Sequence, residues 1–193
     1  MSGASSEPGA AGGTGSSDPS GSSERARLFV AVWPPPSVLD VLASLRGPDR
    51  PGVRWMGPEH WHVTLRFLGT VDVVPAVEAL SQLSGGPGAL AVVDTTPVRL
   101  GREVIALPVD GLVPLAAAVD TAFAGLGRDP DHRLFRGHLT LARGKGVRGL
   151  AGLRLAEPVE WAVGSVSLVR SHLGRGGARY EDVAAVDLGP VLG

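Results

Sequence analysis

The sequence predicts an α+β fold whose strands pair mainly antiparallel. Segments with helical and strand-like patterns are mixed along the chain, without the regular strand–helix–strand alternation that a parallel sheet requires. The strand-like segments are short, rich in β-branched and apolar residues, and end at Gly- or Pro-rich turns. Of the 193 residues, 44% are hydrophobic and 19% are charged, and the formal net charge is −1. This balance predicts a globular chain and excludes a polycationic nucleic-acid coat.

The elements are predicted in order from their residue patterns. Strands are expected at 27–33, 53–56, 61–68, 89–100, 103–109, 137–143, 159–170 and 178–188. Helices are expected at 37–46, 73–83 and 112–126, where apolar residues recur at helical spacing and Gly or Pro follows. Residues 144–152 form a basic, glycine-rich loop, and the glycines at 174–177 suit a hairpin or a flexible rim loop between the last two strands.

The ends of the chain and its composition bound the remaining possibilities. Residues 1–24 contain eight Ser and six Gly but no Leu, Ile, Val or aromatic residue, so we predict a disordered tail followed by one domain over 25–193. No apolar run reaches the length of about 18 residues that a membrane span needs. The absence of cysteine excludes disulfides, thiolate zinc sites and a cysteine nucleophile. We expect a cytoplasmic monomer with no membrane partner.

One four-residue pattern occurs twice in strand-like segments. HVTL begins at His62, and HLTL begins at His138, 76 residues later. Because residues i and i+2 share a face of a strand, each segment presents an imidazole and a hydroxyl together, with Thr64 beside His62 and Thr140 beside His138. The intervening apolar residues point to the opposite face and anchor the strand. If the two halves pack with pseudo-twofold symmetry, two His and two Thr converge in one cleft.

This set of side chains suits phosphoryl chemistry without a metal. A neutral imidazole can take a proton from water, and a protonated one can give a proton to the leaving oxygen. The threonine hydroxyls can donate hydrogen bonds to phosphoryl oxygens. Arg143 can add a positive charge, but it has the opposite strand parity from Thr140. It reaches the site only if the strand twists or ends there.

Positive charge is concentrated around the second motif. Residues 128–154 carry seven Arg or Lys residues and two Asp residues, so this stretch is +5 and the remainder of the chain is −6. The functional interpretation is a rim that attracts phosphate; the alternative is a solvated set of arginine-rich loops.

The paired motifs resemble those of the 2H phosphoesterase superfamily. The flanking segments resemble the bacterial and archaeal RNA 2′,3′-cyclic phosphodiesterases, formerly called 2′-5′ RNA ligases. The matching segments are RLFVAV from Arg27, HVTLRFLG from His62, HLTLAR from His138 and LVRSHL from Leu168. The resemblance covers about residues 25–190. One departure is Gly137, where relatives commonly carry Pro before the second His.

The resemblance implies a bilobal fold, with two antiparallel sheets facing a central cleft and helices outside. It implies hydrolysis of a terminal 2′,3′-cyclic phosphate to a 2′-phosphate, with RNA ends or nucleotides carrying that group as partners. In that case His62 would be the general acid, His138 the general base, and Thr64 and Thr140 would hold the phosphoryl oxygens. No cofactor and no metal are implied.

Several alternatives stay open at this level. His60 and His62 form a His-x-His pair, although no third metal ligand has suitable spacing. Phe67 is expected in the core, with base stacking and substrate binding beside Arg143 as the alternative, and Trp33 is expected to be a packing residue. The alternative functions are a 2′-5′ RNA ligase, another nucleotide cyclic phosphodiesterase of the same superfamily, and a non-catalytic RNA-binding module.

Overall fold

The computed structural model describes residues 24–129, 134–150, 152–175 and 177–191. The predicted tail lies outside these residues except for Glu24, whose carboxylate pairs with Arg170 at 2.6 Å. The strands of the described part are β1 Arg25–Val32, β2 Arg54–Trp55, β3 Val63–Asp72, β4 Ala89–Val93, β5 Val98–Leu100, β6 Val104–Asp110, β7 Gly137–Arg143, β8 Val159–Val163, β9 Ser165–Gly174 and β10 Gly177–Asp187. The α-helices are α1 Pro36–Ala43, α2 Val73–Ser81 and α3 Val113–Ala122.

Two antiparallel sheets organise the molecule. The first has the strand order β10-β9-β1-β3, and the second has the order β2-β7-β6-β4-β8 with β5 also paired to β6. The predicted α+β class and antiparallel pairing are confirmed. Helix α2 packs against β9 and β10, α3 against β3, and α1 against β8, while β3 and β7 bring the two sheets into contact.

Two predicted strands are wrong because each is divided in two. The segment 89–100 breaks between β4 and β5, where the Asp94 carboxylate accepts the Thr96 N–H at 3.2 Å and Pro97 follows. The segment 159–170 breaks at Gly164: β8 before it pairs with β4 in the second sheet, and β9 after it pairs with β1 in the first. An uninterrupted apolar pattern does not reveal that the chain changes sheets.

The other differences lie at the ends of elements. The predicted helices 37–46 and 112–126 end earlier, because their last residues close tighter turns, with the Leu45 N–H on the Leu42 carbonyl and the Leu126 N–H on the Phe123 carbonyl. The basic loop at 144–152 contains a 3₁₀ turn over Lys145–Gly149. Strands β9 and β10 pair antiparallel up to Gly174 and Gly177, which favours the hairpin over the flexible rim loop.

Both faces of the first sheet carry buried apolar residues, but one faces the main core and the other only a small cluster. One face contributes Leu28, Val30 and Val32 of β1 to the main core. The other carries a small apolar cluster of Phe29, Ala31 and Val169. The apolar residues of the two motifs are buried in the main core as predicted, and they are Val63, Leu65, Leu139 and Leu141. None of the helices within the described residues has the length and apolar character that a membrane crossing needs.

Candidate active site

A cleft of about 960 Å³ lies between the two sheets. Its lining includes residues of β1, β3, β9 and β10 from the first sheet and of β7 from the second. The structure brings together in this cleft every site residue expected from the sequence: His62, Thr64, Phe67, His138, Thr140 and Arg143.

The local sequence around each histidine fixes its position. His62 lies just before β3, between Trp61 and Val63, which are 4% and 0% exposed. His138 is the second residue of β7 and precedes Leu139, which is fully buried. Because these apolar neighbours are held in the core, the imidazoles are directed to the opposite side, toward the cleft.

A β-bulge follows the threonine in each motif. In β3, Thr64 and Arg66 oppose the adjacent residues Ala31 and Val30 of β1, so Leu65 is an extra residue. In β7, Thr140 and Ala142 oppose the adjacent residues Ala106 and Ile105 of β6, which makes Leu141 the extra residue. A bulge of this kind shifts the alternation of side chains by one position. The two motifs therefore have a bulge at the same position as well as a similar sequence.

The bulges explain why Phe67 and Arg143 reach the cleft. Each lies three residues after its motif threonine, which in a regular strand would place it on the opposite face. The extra residue restores it to the face of Thr64 or Thr140. The expectation that Phe67 is a core residue is wrong, since its side chain is 61% exposed and lines the cleft.

The hydrogen bonding of His138 defines its tautomer. Its Nδ1 lies 3.1 Å from the carbonyl oxygen of Arg136. A carbonyl oxygen can only accept, so Nδ1 carries the proton and donates it. In the neutral ring, Nε2 then holds the free lone pair.

Three aromatic rings surround His62. Its ring centroid lies 5.0 Å from that of Phe29, 5.2 Å from that of Trp33 and 4.9 Å from that of Tyr180. Burial in this apolar setting lowers the pKa of His62 from 6.5 to about 4. The backbone of His60 opposes the shift, whereas the charges of His60, Arg143 and His138 add to it. Since the buried Nδ1 of His62 has no hydrogen bond of good geometry, we regard the opposing backbone contact as weak.

The lowered pKa of His62 predicts a loss of stability in mild acid. In the unfolded chain His62 takes up a proton near pH 6.5, but in the folded chain only near pH 4. The unfolded state binds more protons between these values, so the free energy of unfolding falls as the pH falls, by about 3 kcal/mol in total from this group. Urea unfolding at pH 7, 6, 5 and 4 of the wild type and His62→Gln measures the effect. Parallel losses in both proteins would show that the pKa of His62 is not depressed.

His60 is held by its neighbours. Its Nδ1 lies 2.7 Å from Glu59 Oε1, and its Nε2 lies 2.9 Å from the carbonyl oxygen of Ala178 on β10. With both ring nitrogens engaged, His60 has none available for a metal shared with His62. Among the described residues, no group of three or more His, Asp or Glu side chains is placed to hold a metal ion.

The cleft is lined by positive charge. Four arginines contribute to it, Arg25, Arg27, Arg128 and Arg143, and no Asp or Glu is among its described lining residues. Only two of the four belong to the basic stretch 128–154. The other described basic residues of that stretch do not line the cleft, and they are Arg136, Lys145, Arg148 and Arg154; Arg133 lies outside the described residues. The expected rim is therefore corrected: β1 supplies half of its arginines.

Gly137 occupies a position with no room for a side chain. A Cβ there would collide with the carbonyl oxygen of Val109 on the paired strand β6. Relatives commonly carry Pro at this position. In this chain Gly137 stands there, where the backbones of β6 and β7 approach closely. His138 nevertheless remains in the cleft.

Sequence reasoning missed the aromatic enclosure of His62. Trp33 was expected only to pack, but its ring contacts His62 and its Nε1 donates to Asp182 Oδ1 at 3.2 Å. Tyr180 contacts both His60 and His62 from β10. The alternation of side chains along β1 could have indicated this position of Trp33, because residues 27, 29, 31 and 33 share the face opposite Leu28. Tyr180 offered no local signal.

Comparison with known proteins agrees with this fold. A family model described as LigT-like phosphoesterase matches residues 32–93, which include the first motif. The search of curated proteins finds no match. The two sheets, this family match and the solved structures described below support the 2H phosphoesterase superfamily for this chain.

Within that superfamily the fold is LigT-like. The chain is 28% identical to Escherichia coli LigT complexed with 3′-AMP, with a TM-score of 0.71 over 86% of this chain and 99% of that one. It is 26% identical to TT0787 of Thermus thermophilus, with a TM-score of 0.65 over 83% and 97%. A structure described as a phosphoesterase is 27% identical, with a TM-score of 0.71 over 86% and 99%.

Proposed function

We propose that this phosphoesterase hydrolyses terminal 2′,3′-cyclic phosphates of RNA to 2′-phosphates by acid–base catalysis with two histidines. One observation carries the proposal: both histidines and both threonines of the repeated motif line a single cleft that has arginines but no acidic side chain among its described lining residues. Such a cleft attracts an anion and offers it two proton-transfer groups.

His138 is the general base in this reaction. With Nδ1–H directed to the Arg136 carbonyl, its Nε2 can take a proton from the attacking water. The oxygen of that water forms a bond to phosphorus as the bond from phosphorus to the 3′ oxygen breaks. The phosphate remains on the 2′ oxygen.

His62 is the general acid, and its proton goes to the departing 3′ oxygen. With a pKa of about 4, the ring is neutral in the empty cleft near pH 7. A bound phosphate changes this: an anion about 4 Å away, at an effective dielectric constant of about 20, contributes roughly 4 kcal/mol, or about 3 pKa units. That shift is enough to protonate His62 near neutral pH when the substrate is present.

Thr64, Thr140 and Arg143 stabilise the charge that develops on the phosphoryl oxygens. The threonines stand beside the two histidines and can donate hydrogen bonds, and Arg143 adds a full charge at the end of β7. LigT was crystallised with 3′-AMP, a nucleotide with a 3′-phosphate, which supports a nucleotide end as the ligand class here.

Product analysis tests the proposal directly. An oligoribonucleotide ending in a 2′,3′-cyclic phosphate is incubated with the protein in EDTA, and ³¹P NMR identifies the new end. We expect a 2′-phosphate, formed at the same rate with and without EDTA.

Other outcomes point elsewhere. A 3′-phosphate would mean that the other ester bond breaks, and dependence on a divalent metal would contradict the two-histidine mechanism. Joined strands would favour the ligase, and binding without turnover would favour an RNA-binding module. The tail at 1–24, the monomeric state and the cytoplasmic location stay predictions.

A further inference from the structure

We propose that His60 is a positioning residue for His62: by binding to β10, it keeps Tyr180 against the His62 ring. Glu59 in turn holds His60. The inference rests on the proposed function and deepens it, because His62 is the general acid of that reaction. It assigns the orientation of the acid to residues that lie outside both repeated motifs.

His62 lacks the anchors that hold the other histidine. His138 lies inside β7, where it is paired with Pro108 of β6, and its ring donates to the Arg136 carbonyl. His62 lies before the first residue of β3, and the pairing of β3 with β1 ends at Val63. The buried Nδ1 of His62 has no hydrogen bond of good geometry among the described residues. A general acid must stay in line with the leaving oxygen, so the His62 ring needs another means of orientation.

The aromatic rings around His62 supply this orientation, and Tyr180 is the ring that comes from β10. Its centroid lies 4.9 Å from that of His62, at an interplanar angle of 83°. Phe29 comes from β1, which lies inside the first sheet between β9 and β3, whereas β10 is an outer strand of that sheet. The position of Tyr180 therefore depends on how firmly β10 is held against the chain around His62.

His60 makes that connection. It ends a 3₁₀ turn over Pro58–His60, two residues before His62. Its Nε2 donates to the Ala178 carbonyl of β10 at 2.9 Å. Its ring also packs on that of Tyr180, with the centroids 5.6 Å apart. Tyr180 thus contacts both imidazoles, and the hydrogen bond to Ala178 joins the turn before His62 to the strand that carries Tyr180.

Glu59 fixes the orientation of the His60 ring. Its Oε1 lies 2.7 Å from His60 Nδ1. A carboxylate and a carbonyl oxygen can both only accept, so the doubly protonated ring satisfies the bonds to Glu59 and to Ala178 together. Because the Glu59 side chain is 68% exposed, the pair contributes little to stability. Its effect is to prevent a rotation of the ring that would take Nε2 away from β10.

Gly57 leaves the room that this carboxylate occupies. A Cβ at Gly57 would collide with the Glu59 carboxyl group, whose atoms are its three nearest neighbours. The φ of Gly57 is −87°, which any residue adopts. Gly57→Ala therefore displaces the Glu59 carboxylate without straining the backbone, and it leaves His60 itself unchanged.

An NMR titration of the His62 ring in the empty cleft tests the inference without any turnover. Burial is the largest cause of the lowered pKa of His62, and the charges that add to the shift are those of His60, Arg143 and His138. If His60→Leu frees Tyr180, the pKa of His62 should rise by at least about one unit, from about 4 toward 6.5. His60→Gln loses the same charge, but its Nε2 can still donate to β10, so the rise should be smaller.

Turnover with two leaving groups tests the consequence for catalysis. On a 2′,3′-cyclic phosphate, His60→Leu should lower kcat by roughly 10-fold with little change in KM, because a displaced acid slows the reaction without weakening binding. On a nucleoside 3′-(p-nitrophenyl) phosphodiester, whose phenolate leaves without a proton, the loss should be less than about 3-fold. His60→Gln should restore most of kcat. The matched control is His172→Leu, which breaks a pair with Glu181 on the same hairpin but outside the cleft lining, and it should behave as the wild type.

Gly57→Ala provides a second variant in which His60 is intact. Its kcat on the cyclic phosphate should fall by about 3-fold, and adding Glu59→Ala should lower kcat no further, since both changes remove the same contact. Additive losses would overturn the role given to Glu59.

The outcomes separate this inference from the proposed function. An equal rise in the pKa of His62 in His60→Leu and His60→Gln, or no rise in either, would overturn the positioning role. Equal losses of His60→Leu on the two substrates would do the same. A wild type that hydrolyses no cyclic phosphate, together with the expected difference between the two titrations, would overturn the proposed function and leave the positioning of His62 by His60 standing.

Discussion

His62→Gln and His138→Gln are each expected to lower kcat for a 2′,3′-cyclic phosphate by roughly 10²- to 10⁴-fold. Each variant removes one of the two proton transfers, while the arginines and threonines that hold the phosphate remain. KM should therefore change little compared with kcat. His172→Gln is the matched control, because His172 lies next to the cleft on β9 but pairs with Glu181 at 2.7 Å outside the lining.

The roles of the two histidines can be told apart with an activated substrate. A nucleoside 3′-(p-nitrophenyl) phosphodiester releases a phenolate that does not need protonation. His62→Gln should lose less than about 10-fold on this substrate, whereas His138→Gln should lose as much as on the cyclic phosphate. The opposite pattern would mean that His138 is the general acid and His62 the general base. Full activity of either variant on the cyclic phosphate would contradict the mechanism.

Arg66→Met is expected to lower the free energy of unfolding by about 2–3 kcal/mol. Arg66 is 5% exposed and donates hydrogen bonds to Asp120 O at 3.0 Å, Leu126 O at 3.3 Å and Arg128 O at 3.2 Å. It also pairs with the Asp120 carboxylate at 3.3 Å. Methionine fills the space but leaves these acceptors without a charged donor, and each such bond contributes about 1.5–3 kcal/mol, partly offset by the cost of burying the guanidinium.

Urea unfolding measures this effect, and Arg99→Met is the control. Arg99 is an exposed arginine on β5, so its replacement should change stability by less than about 0.5 kcal/mol. Arg66→Lys keeps the charge but not the forked geometry. Its loss of stability should therefore be smaller than that of Arg66→Met and larger than that of Arg99→Met. Equal unfolding midpoints for Arg66→Met and the wild type would mean that these hydrogen bonds give no net stabilisation.

The sequence predicts the candidate site better than it predicts the path of the chain. The pairing of imidazole and hydroxyl at i and i+2 depends only on strand periodicity, so His62 with Thr64 and His138 with Thr140 could be predicted from local pattern. The convergence of the two motifs depended on how the two halves pack, and the structure places both motifs in one cleft.

What could not be predicted depends on residue-level irregularity. The bulge at Leu141 decides whether Arg143 faces the cleft. This bulge arises from the pairing with β6, so the residue types of β7 do not predict it. The bulge at Leu65 likewise moves Phe67 from the expected core into the cleft. The contact of Tyr180 with His62 joins residues far apart in the chain, so only the tertiary structure reveals it.

The aromatic enclosure of His62 has a consequence for the thermodynamics of binding. If the ring is neutral when the cleft is empty and protonated when a phosphate is bound, binding takes up a proton from the buffer. Between the pKa of His62 in the empty cleft and its pKa in the complex, the affinity for the anion then falls by up to tenfold for each unit by which the pH rises. The heat of binding likewise depends on the ionisation enthalpy of the buffer. Phe29, Trp33 and Tyr180 thereby make the proton a second ligand that is bound only together with the phosphate.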